Sequence, residues 1–194
     1  MYEYISGRVE SLTPASAVLE AGGIGYFLNI SLQTFSQIGS RSEVRLYTHF
    51  VVREDAQLLY GFYSREERDI FRALIGVSGV GGNTARMILS SFTAGEVASV
   101  IATGQAEVLK SVKGLGIKTA QKIIVELRDK IGAAAAASAP VATGGSAGAF
   151  DEALSALTML GFARQASEKV LRALLKESPG SSVEELVRLA LKKL

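Results

Sequence analysis

The sequence predicts a multidomain α+β protein with a small β-barrel, an all-helical region and a separate C-terminal helical bundle. Three observations predict this organisation. Short alternating runs of β-branched and aromatic residues fill positions 1–63, and a glycine motif recurs within 64–132. An uncharged stretch rich in Ala, Gly and Ser at 133–149 precedes residues 150–194, where helical periodicity returns. We therefore predict a barrel domain at 1–63, a helical domain at 64–132, a flexible linker at 133–149 and a three-helix domain at 150–194. The alternative for the first linker residues is that Ala133–Ala137 prolongs the preceding helix, which Pro140 and Gly144–Gly145 would end.

The composition excludes several classes of protein. The 194 residues are 48% hydrophobic and 21% charged, which favours an ordered chain over a disordered one. Cysteine is absent and His49 is the single histidine, which excludes disulfides, thiolate metal sites and His-rich metal sites and disfavours a Ser-His-Asp triad. The sequence contains no apolar run of transmembrane length and does not begin like a signal peptide. We expect a cytoplasmic protein without a cofactor, a metal site or a membrane partner.

The N-terminal segment predicts five strands and one short helix. Turns at Pro14 and Gly22–Gly23 separate the first strands, and Leu32–Gln37 is expected to form the helix. Five strands in 63 residues suggest a small closed or nearly closed barrel such as an OB-fold, with an SH3-like barrel as the alternative. The predicted strands are Tyr2–Leu12, Ala15–Glu20, Gly25–Ile30, Glu43–Val52 and Gln57–Tyr63.

The loop between the last two predicted strands is acidic. Its residues are Arg53, Glu54, Asp55 and Ala56, so two adjacent carboxylates stand at a hairpin tip. One interpretation is a solvated turn. The other is electrostatic, because an acidic tip beside a polyanion repels phosphates and can hold nucleic-acid strands apart. His49 is expected to be a structural residue of the fourth strand.

A repeat in the middle of the chain carries the main functional signal. Gly79, Gly81, Thr84 and Ala85 recur 35 residues later as Gly114, Gly116, Thr119 and Ala120. Each copy is predicted as a short helix, an apolar-Gly-apolar-Gly hairpin and a second helix, and the second helices are expected at Asn83–Ser91 and Lys118–Ile131. Thr93 with Glu96, and Ser64 with Glu67, are predicted capping boxes.

The Gly-x-Gly spacing points to phosphate binding. A glycine turn at a helix N-terminus exposes backbone N–H groups, which bind phosphate together with the helix dipole. The alternative is a tight helix–helix turn, which two copies in register disfavour. Residues 64–132 carry 10 basic and 7 acidic side chains, a net charge of +3. Candidate phosphate contacts are Gly79, Val80, Gly81, Asn83, Thr84 and Arg86 in the first copy, and Gly114, Leu115, Gly116, Lys118, Thr119 and Lys122 in the second.

These features resemble known modules. The two glycine hairpins resemble a tandem helix-hairpin-helix DNA-binding domain. At the C-terminus, Phe150–Leu160, Ala163–Lys176 and Val183–Leu194 are predicted helices, with Ser182 and Glu185 capping the third. The Leu160-Gly161-Phe162 turn resembles that of ubiquitin-associated-like (UBA-like) three-helix bundles. A small bundle on a tether suits docking of a partner.

Taken in order, the chain resembles the RuvA family of bacterial Holliday-junction-binding proteins over essentially its whole length. The most specific stretches are Thr48–Phe62 and Val112–Leu127. The resemblance implies a non-catalytic homotetramer that holds four-way junction DNA open and flat, with Glu54 and Asp55 as an acidic pin near the crossover. It also implies that the C-terminal domain contacts the RuvB ATPase and that the RuvC resolvase acts on the same complex. The sequence leaves tetramer and octamer both open.

Two positions depart from the family pattern. Asn83 and Ile117 stand where family members often have lysine, so we expect weaker and less salt-sensitive DNA binding than in a lysine-rich relative. The chain also lacks a G-x-x-x-x-G-K-[ST] motif, so ATP hydrolysis is expected to belong to a partner.

Two other functions compete with this interpretation. Helix-hairpin-helix domains also occur in glycosylases and nucleases, and Glu126 with Asp129 is a weak candidate carboxylate pair. A generic single-strand binder could instead stack bases on barrel aromatics. The candidates for stacking are Tyr26, Phe27, Tyr47 and Phe50.

Overall fold

The computed structural model describes residues 2–137, 146–178 and 180–194. The chain forms two compact units, the first ending at Ala137 and the second containing the C-terminal helices. The first unit contains the barrel and both glycine hairpins. Among the described residues, no single helix is long and apolar enough to cross a membrane. Helices Gly82–Ser91 and Ala94–Thr103 reach that length and apolar composition only when taken together, and the pair is bent by 97°.

The barrel elements are β1 (Tyr4–Thr13), β2 (Ser16–Ala21), β3 (Ile24–Ile30), α1 (Leu32–Ile38), β4 (Glu43–Val52) and β5 (Gln57–Phe62). The barrel is closed, with strand order β1-β2-β3-β5-β4. Neighbouring strands are antiparallel except β3 and β5, which close the barrel through the parallel pairs Asn29 with Tyr60 and Ile30 with Gly61. A helix, α1, joins β3 to β4. This architecture confirms the OB-fold rather than the SH3-like alternative.

Alternation along the strands fills the barrel. Leu19, Leu28, Ile30 and Leu46 point inward and are fully buried because successive strand side chains face opposite sides of the sheet. The outward residues Tyr60 and Phe62 of β5 are buried too, but they belong to the helical core of this unit, where each ring lies 4.8 Å from the Phe71 ring. Strand β5 therefore contributes to two cores.

Five helices follow the barrel, and their shared core contains the apolar positions of the repeat. The positions that correspond in the two copies occupy equivalent places in one core: Leu74 and Leu109, Val77 and Val112, Ala85 and Ala120, and Ile88 and Ile123 are all buried. The helices are α2 (Arg65–Ile75), α3 (Gly82–Ser91), α4 (Ala94–Thr103), α5 (Ala106–Lys110) and α6 (Ile117–Ala137).

Of the two predicted capping boxes, one forms completely. Thr93 and Glu96 make both reciprocal bonds at the start of α4. Ser64 accepts from the Glu67 amide, yet the Glu67 side chain does not return the bond. It is buried instead, where its carboxylate accepts from the hydroxyls of Ser31 and Thr34. The capping-box prediction for Ser64 and Glu67 is thus half wrong, because a tertiary contact takes the carboxylate.

Helices occupy both ends of the predicted linker at 133–149. Residues 133–137 extend α6 to Ala137, and residues 146–149 belong to the next helix, α7 (Ser146–Met159). Alanine has the highest helix propensity, so an alanine run prolongs an existing helix at little cost. The remainder of the predicted linker, 138–145, lies outside the described residues.

The second unit contains a three-helix arrangement, as predicted. Helices α7 (Ser146–Met159), α8 (Arg164–Glu177) and α9 (Val183–Ala190) enclose a small core that includes Leu157, Leu171 and Leu186. The cap at Ser182 forms, since its hydroxyl accepts from the Glu185 amide. Helix α9 ends at Ala190 rather than at the predicted Leu194 because the last residues form a tighter turn, with Lys192 donating to the carbonyl of Leu189.

Candidate nucleic-acid interface

The two glycine hairpins have the same backbone geometry. In the first, the Val80 amide donates to the Val77 carbonyl at 3.0 Å; in the second, Leu115 donates to Val112 at 3.0 Å. Gly79 and Gly114 have φ values of 89° and 85°. This left-handed conformation strains other residue types, which explains glycine at the corresponding position of both copies.

Each hairpin ends at an open helix N-terminus. The first helical hydrogen bonds run from Ala85 to the Gly81 carbonyl and from Ala120 to the Gly116 carbonyl, both at 3.0 Å. The amides of the three residues before Ala85, and of the three before Ala120, have no hydrogen-bond partner within the described ranges. Glycine offers no capping side chain, and a Cβ at Gly81 or Gly116 would meet no atom within 4 Å. Both ends are therefore open donor sites that a phosphate oxygen can approach.

Lysines surround only the second hairpin. Lys113, Lys118 and Lys122 are exposed there, and Lys122 lies 3.9 Å from Glu126. Sequence reasoning missed Lys113, although its place in the hairpin loop was readable from the repeat. The corresponding positions in the first copy are Ser78, Asn83 and Met87, none of which is charged. The two hairpins therefore offer similar amide donors and very different positive charge.

Arg86, a predicted phosphate contact, lies against the barrel. Its Nη1 donates to the Ala15 carbonyl at 3.0 Å and to Asn29 Oδ1 at 3.3 Å. The sequence placed it on the helix that follows the first hairpin but gave no signal that its guanidinium is held by residues distant in the sequence. The other predicted residues, Val80 and Leu115 excepted, lie at exposed or half-exposed positions around the two turns. Val80 and Leu115 bury their side chains and have only backbone atoms to offer.

The acidic residues stand at the tip of the β4–β5 hairpin. Val52 pairs with Gln57, and the Arg53 amide donates to the Ala56 carbonyl at 2.8 Å, so Glu54 and Asp55 occupy the turn itself. Both residues are exposed, and neither makes an ion pair within the described part of the chain. Two carboxylates thus project into solvent.

Two titratable groups with shifted pKa values, the buried Glu67 and the half-buried His49, lie where the barrel meets the helices. Burial raises the pKa of the Glu67 carboxyl, while hydrogen bonds from Ser31 and Thr34 oppose the shift. His49 lies in β4 as predicted, and burial, together with the nearby Arg72 guanidinium, lowers its pKa. Both groups connect helix α2 to the barrel: Glu67 accepts from Ser31 and Thr34, and Arg72 Nε donates to His49 Nδ1.

The structure gives little to the competing interpretations. The described residues contain no group of three or more potential metal ligands, and Glu126 is paired with Lys122. The side chain of Asp129 lies outside the described residues. Among the four candidates for base stacking, Tyr47 lies against the guanidinium groups of Arg65 and Arg68, at 5.2 and 5.6 Å from the ring centre, so its ring already has cationic partners. Tyr26 and Phe50 pack edge-on against Tyr2, and of the four candidates Phe27 alone is exposed.

Comparison with known proteins places these elements in a family. Residues 1–61 match the family model of the RuvA N terminal domain, residues 71–129 that of the SAM-like helix-hairpin-helix tandem, and residues 148–194 that of the RuvA C-terminal domain. Relatives called "Holliday junction branch migration complex subunit RuvA" come from several bacteria. Those of Bacteroides fragilis, Bacteroides thetaiotaomicron and Christiangramia forsetii are 50%, 49% and 46% identical, each over 100% of both chains.

Proposed function

The chain belongs to the RuvA family, and from that premise we propose that it binds Holliday junctions and holds the four-way junction open and flat during branch migration. The pair of open hairpins in one compact unit is the observation that carries this proposal. Two sets of amides that have no hydrogen-bond partner among the described residues are fixed by a shared core, so they can bind two phosphate groups at a set separation. Phosphate contacts position DNA without reading its bases, so recognition depends on the shape of the junction and not on sequence.

The second hairpin supplies most of the electrostatic attraction in this proposal. Lys118 and Lys122 lie one helical turn apart on α6, next to the open amides, and Lys113 lies in the loop before them. Each phosphate that a lysine neutralises releases counterions and steepens the salt dependence of binding. The first hairpin contributes backbone amides together with the neutral side chain of Asn83.

The acidic tip keeps the DNA strands apart at the crossover. Glu54 and Asp55 are exposed at the end of a two-stranded arm, and neither forms an ion pair with another described residue. Carboxylates repel phosphates over roughly one Debye length, about 8 Å at physiological salt. A fourfold arrangement of such tips would exclude backbone phosphates from the centre of an open junction.

The remaining parts of the proposal concern partners. Four copies of the chain surround one junction, the C-terminal unit docks the RuvB ATPase, and RuvC acts on the same complex in recombination and repair in the cytoplasm. The chain itself is the non-catalytic DNA-binding subunit, since ATP hydrolysis belongs to RuvB.

A gel-shift series tests the central proposal. The full-length protein is titrated against a four-way junction, a linear duplex of the same arm sequence and a single strand, at several salt concentrations. We expect a strong preference for the junction and a log–log salt slope of about −0.9 per neutralised phosphate. Equal affinity for junction and linear duplex would leave a generic duplex binder, and preference for the single strand would favour the barrel as the binding surface.

The isosteric double variant Glu54→Gln/Asp55→Asn tests the acidic tip. It removes both charges and keeps the side-chain shapes. We expect unchanged or tighter binding to the linear duplex and less unstacking of bases at the crossover. If the variant unstacks the crossover bases as much as the unsubstituted protein does, the loop is only a solvated turn.

A further inference from the structure

Arg86 lies in a seam between the first hairpin and the barrel. Its guanidinium donates to the Ala15 carbonyl, 3.0 Å away, and to Asn29 Oδ1, 3.3 Å away. The Asn29 amide nitrogen, Nδ2, donates in turn to the Leu59 carbonyl at 3.3 Å. Asn29 thus bridges a side chain of α3 to the backbone of β5.

A second contact crosses the same seam. Tyr60 follows Leu59 in β5, and its ring is buried against the first residue of α3, since a Cβ on Gly82 would lie 2.3 Å from the Tyr60 hydroxyl oxygen. Gly82 opens the helix whose free amides form the first phosphate site. The backbone of β5 is therefore held to that site both by a polar relay and by close packing.

Strand β5 also leads to the acidic tip. Leu59 pairs with Phe50 near the middle of the β4–β5 hairpin, and Asp55 stands four residues earlier along the chain. At about 3.3 Å per residue, the tip lies at most about 13 Å from the relay along the strand. Because this two-stranded arm is short and is fixed at its base, the position of its tip is restricted as well.

We infer that Arg86 and Asn29 are positioning residues, which hold the acidic tip at a fixed place relative to the first hairpin, an inference that rests on the proposed junction binding. A phosphate held by the first hairpin would then present the crossover to Glu54 and Asp55 in one register. In this role Arg86 acts through the barrel instead of contacting DNA.

Two variants break the relay at different atoms. Arg86→Ala removes the donor on α3. Asn29→Asp keeps an acceptor for Arg86 and replaces the nitrogen that donates to the Leu59 carbonyl. Lys122→Ala is the matched control, because it removes a cation from the second hairpin without touching the seam. Circular dichroism and thermal unfolding identify the variants that fold, and Asn29→Asp tests the inference if Arg86→Ala does not fold.

The first readout separates positioning from phosphate contact. Salt slopes are measured on linear duplex, and fluorescence of 2-aminopurine placed at the crossover is measured on a junction saturated with protein. Unstacking of the bases on protein binding should increase the 2-aminopurine fluorescence of the junction. We expect Arg86→Ala and Asn29→Asp to keep the salt slope on linear duplex and to lose most of this fluorescence rise. We expect Lys122→Ala to reduce the slope by about 0.9 for each lost contact and to keep the rise. A smaller slope in Arg86→Ala, or a full fluorescence rise in both seam variants, would overturn the inference.

The second readout needs no DNA, so its outcome does not depend on junction binding. The chain contains no cysteine, which allows nitroxide labels at Ser78→Cys and Asp55→Cys alone. With labelled chains diluted into unlabelled protein, we expect a narrow distribution of label distances that broadens in both seam variants. Unchanged distributions would overturn the fixed tip. Equal binding of the unsubstituted protein to junction and duplex, beside a broadened distribution, would instead overturn the proposed function alone.

Discussion

Gly82 gives the sharpest test of how the first hairpin is held to the barrel. It is the first residue of α3, and replacing it with alanine would place a Cβ 2.3 Å from the Tyr60 hydroxyl oxygen and 2.7 Å from Cζ. Tyr60 cannot swing away freely, because its ring is buried and lies 4.8 Å from the Phe71 ring. Gly82→Ala should therefore destabilise the first unit.

Gly95 provides the matched control. It lies in the first turn of α4, a helix of the same length as α3, and a Cβ there would meet nothing within 4 Å. Both substitutions gain helix propensity, up to about 1 kcal/mol, but only Gly82→Ala overpacks, at a cost of about 1–3 kcal/mol. The free energies of unfolding of the two variants should therefore differ by about 1–3 kcal/mol, with Gly95→Ala the more stable.

Urea unfolding followed by tyrosine fluorescence measures this difference. All six tyrosines lie within residues 1–63, so the signal reports the first unit. The expected gap corresponds to a midpoint shift on the order of 1 M urea. Adding Tyr60→Phe should recover part of the loss, since it removes the nearest atom and leaves Cζ in place. Equal midpoints for Gly82→Ala and Gly95→Ala would refute the close packing of Tyr60 on α3.

Three further predictions concern stability and charge. Because burial raises the pKa of Glu67, the folded state keeps this proton to higher pH than the unfolded state; stability should fall as pH rises from about 4 through the raised pKa, and urea midpoints of Glu67→Gln should lack that fall. Leu171→Ala empties a fully buried position of the second unit, which should cost about 2–5 kcal/mol there, seen as loss of far-UV circular dichroism at an unchanged tyrosine transition. Asn83→Lys restores a cation at the first hairpin and should steepen the salt dependence of duplex binding, and an unchanged slope would contradict the charge-poor first site.

Local patterns predicted much of the fold and the backbone of the candidate site. Alternation and turn residues located all five strands, and β4 matches its predicted bounds of Glu43–Val52. The repeat located both hairpins because the same residues must satisfy the same turn, with glycine at the positive φ and alanine at the buried helix position. Such features depend on neighbours within a few residues, which the sequence displays directly.

Long-range contacts explain what the sequence could not predict. The direction of Arg86 depends on a carbonyl at Ala15, 71 residues away, and the buried carboxylate of Glu67 accepts from the hydroxyls of Ser31, the N-cap of α1, and Thr34. Helical periodicity shows on which face of the helix a side chain lies, but it does not show which distant residues pack against that face. The same limit hid the approach of Tyr60 to Gly82, which only the packed structure reveals.

Because β5 belongs both to the barrel sheet and to the helical core, it should make the unfolding of the first unit cooperative. Its hydrogen bonds complete the barrel, while the rings of Tyr60 and Phe62 belong to the helical core. A fragment ending at residue 63 would keep every strand and yet expose two aromatic rings, and the helices alone would lose the same rings from their centre. Barrel and hairpins should accordingly melt in one transition, so that the first unit gains or loses its structure as a whole.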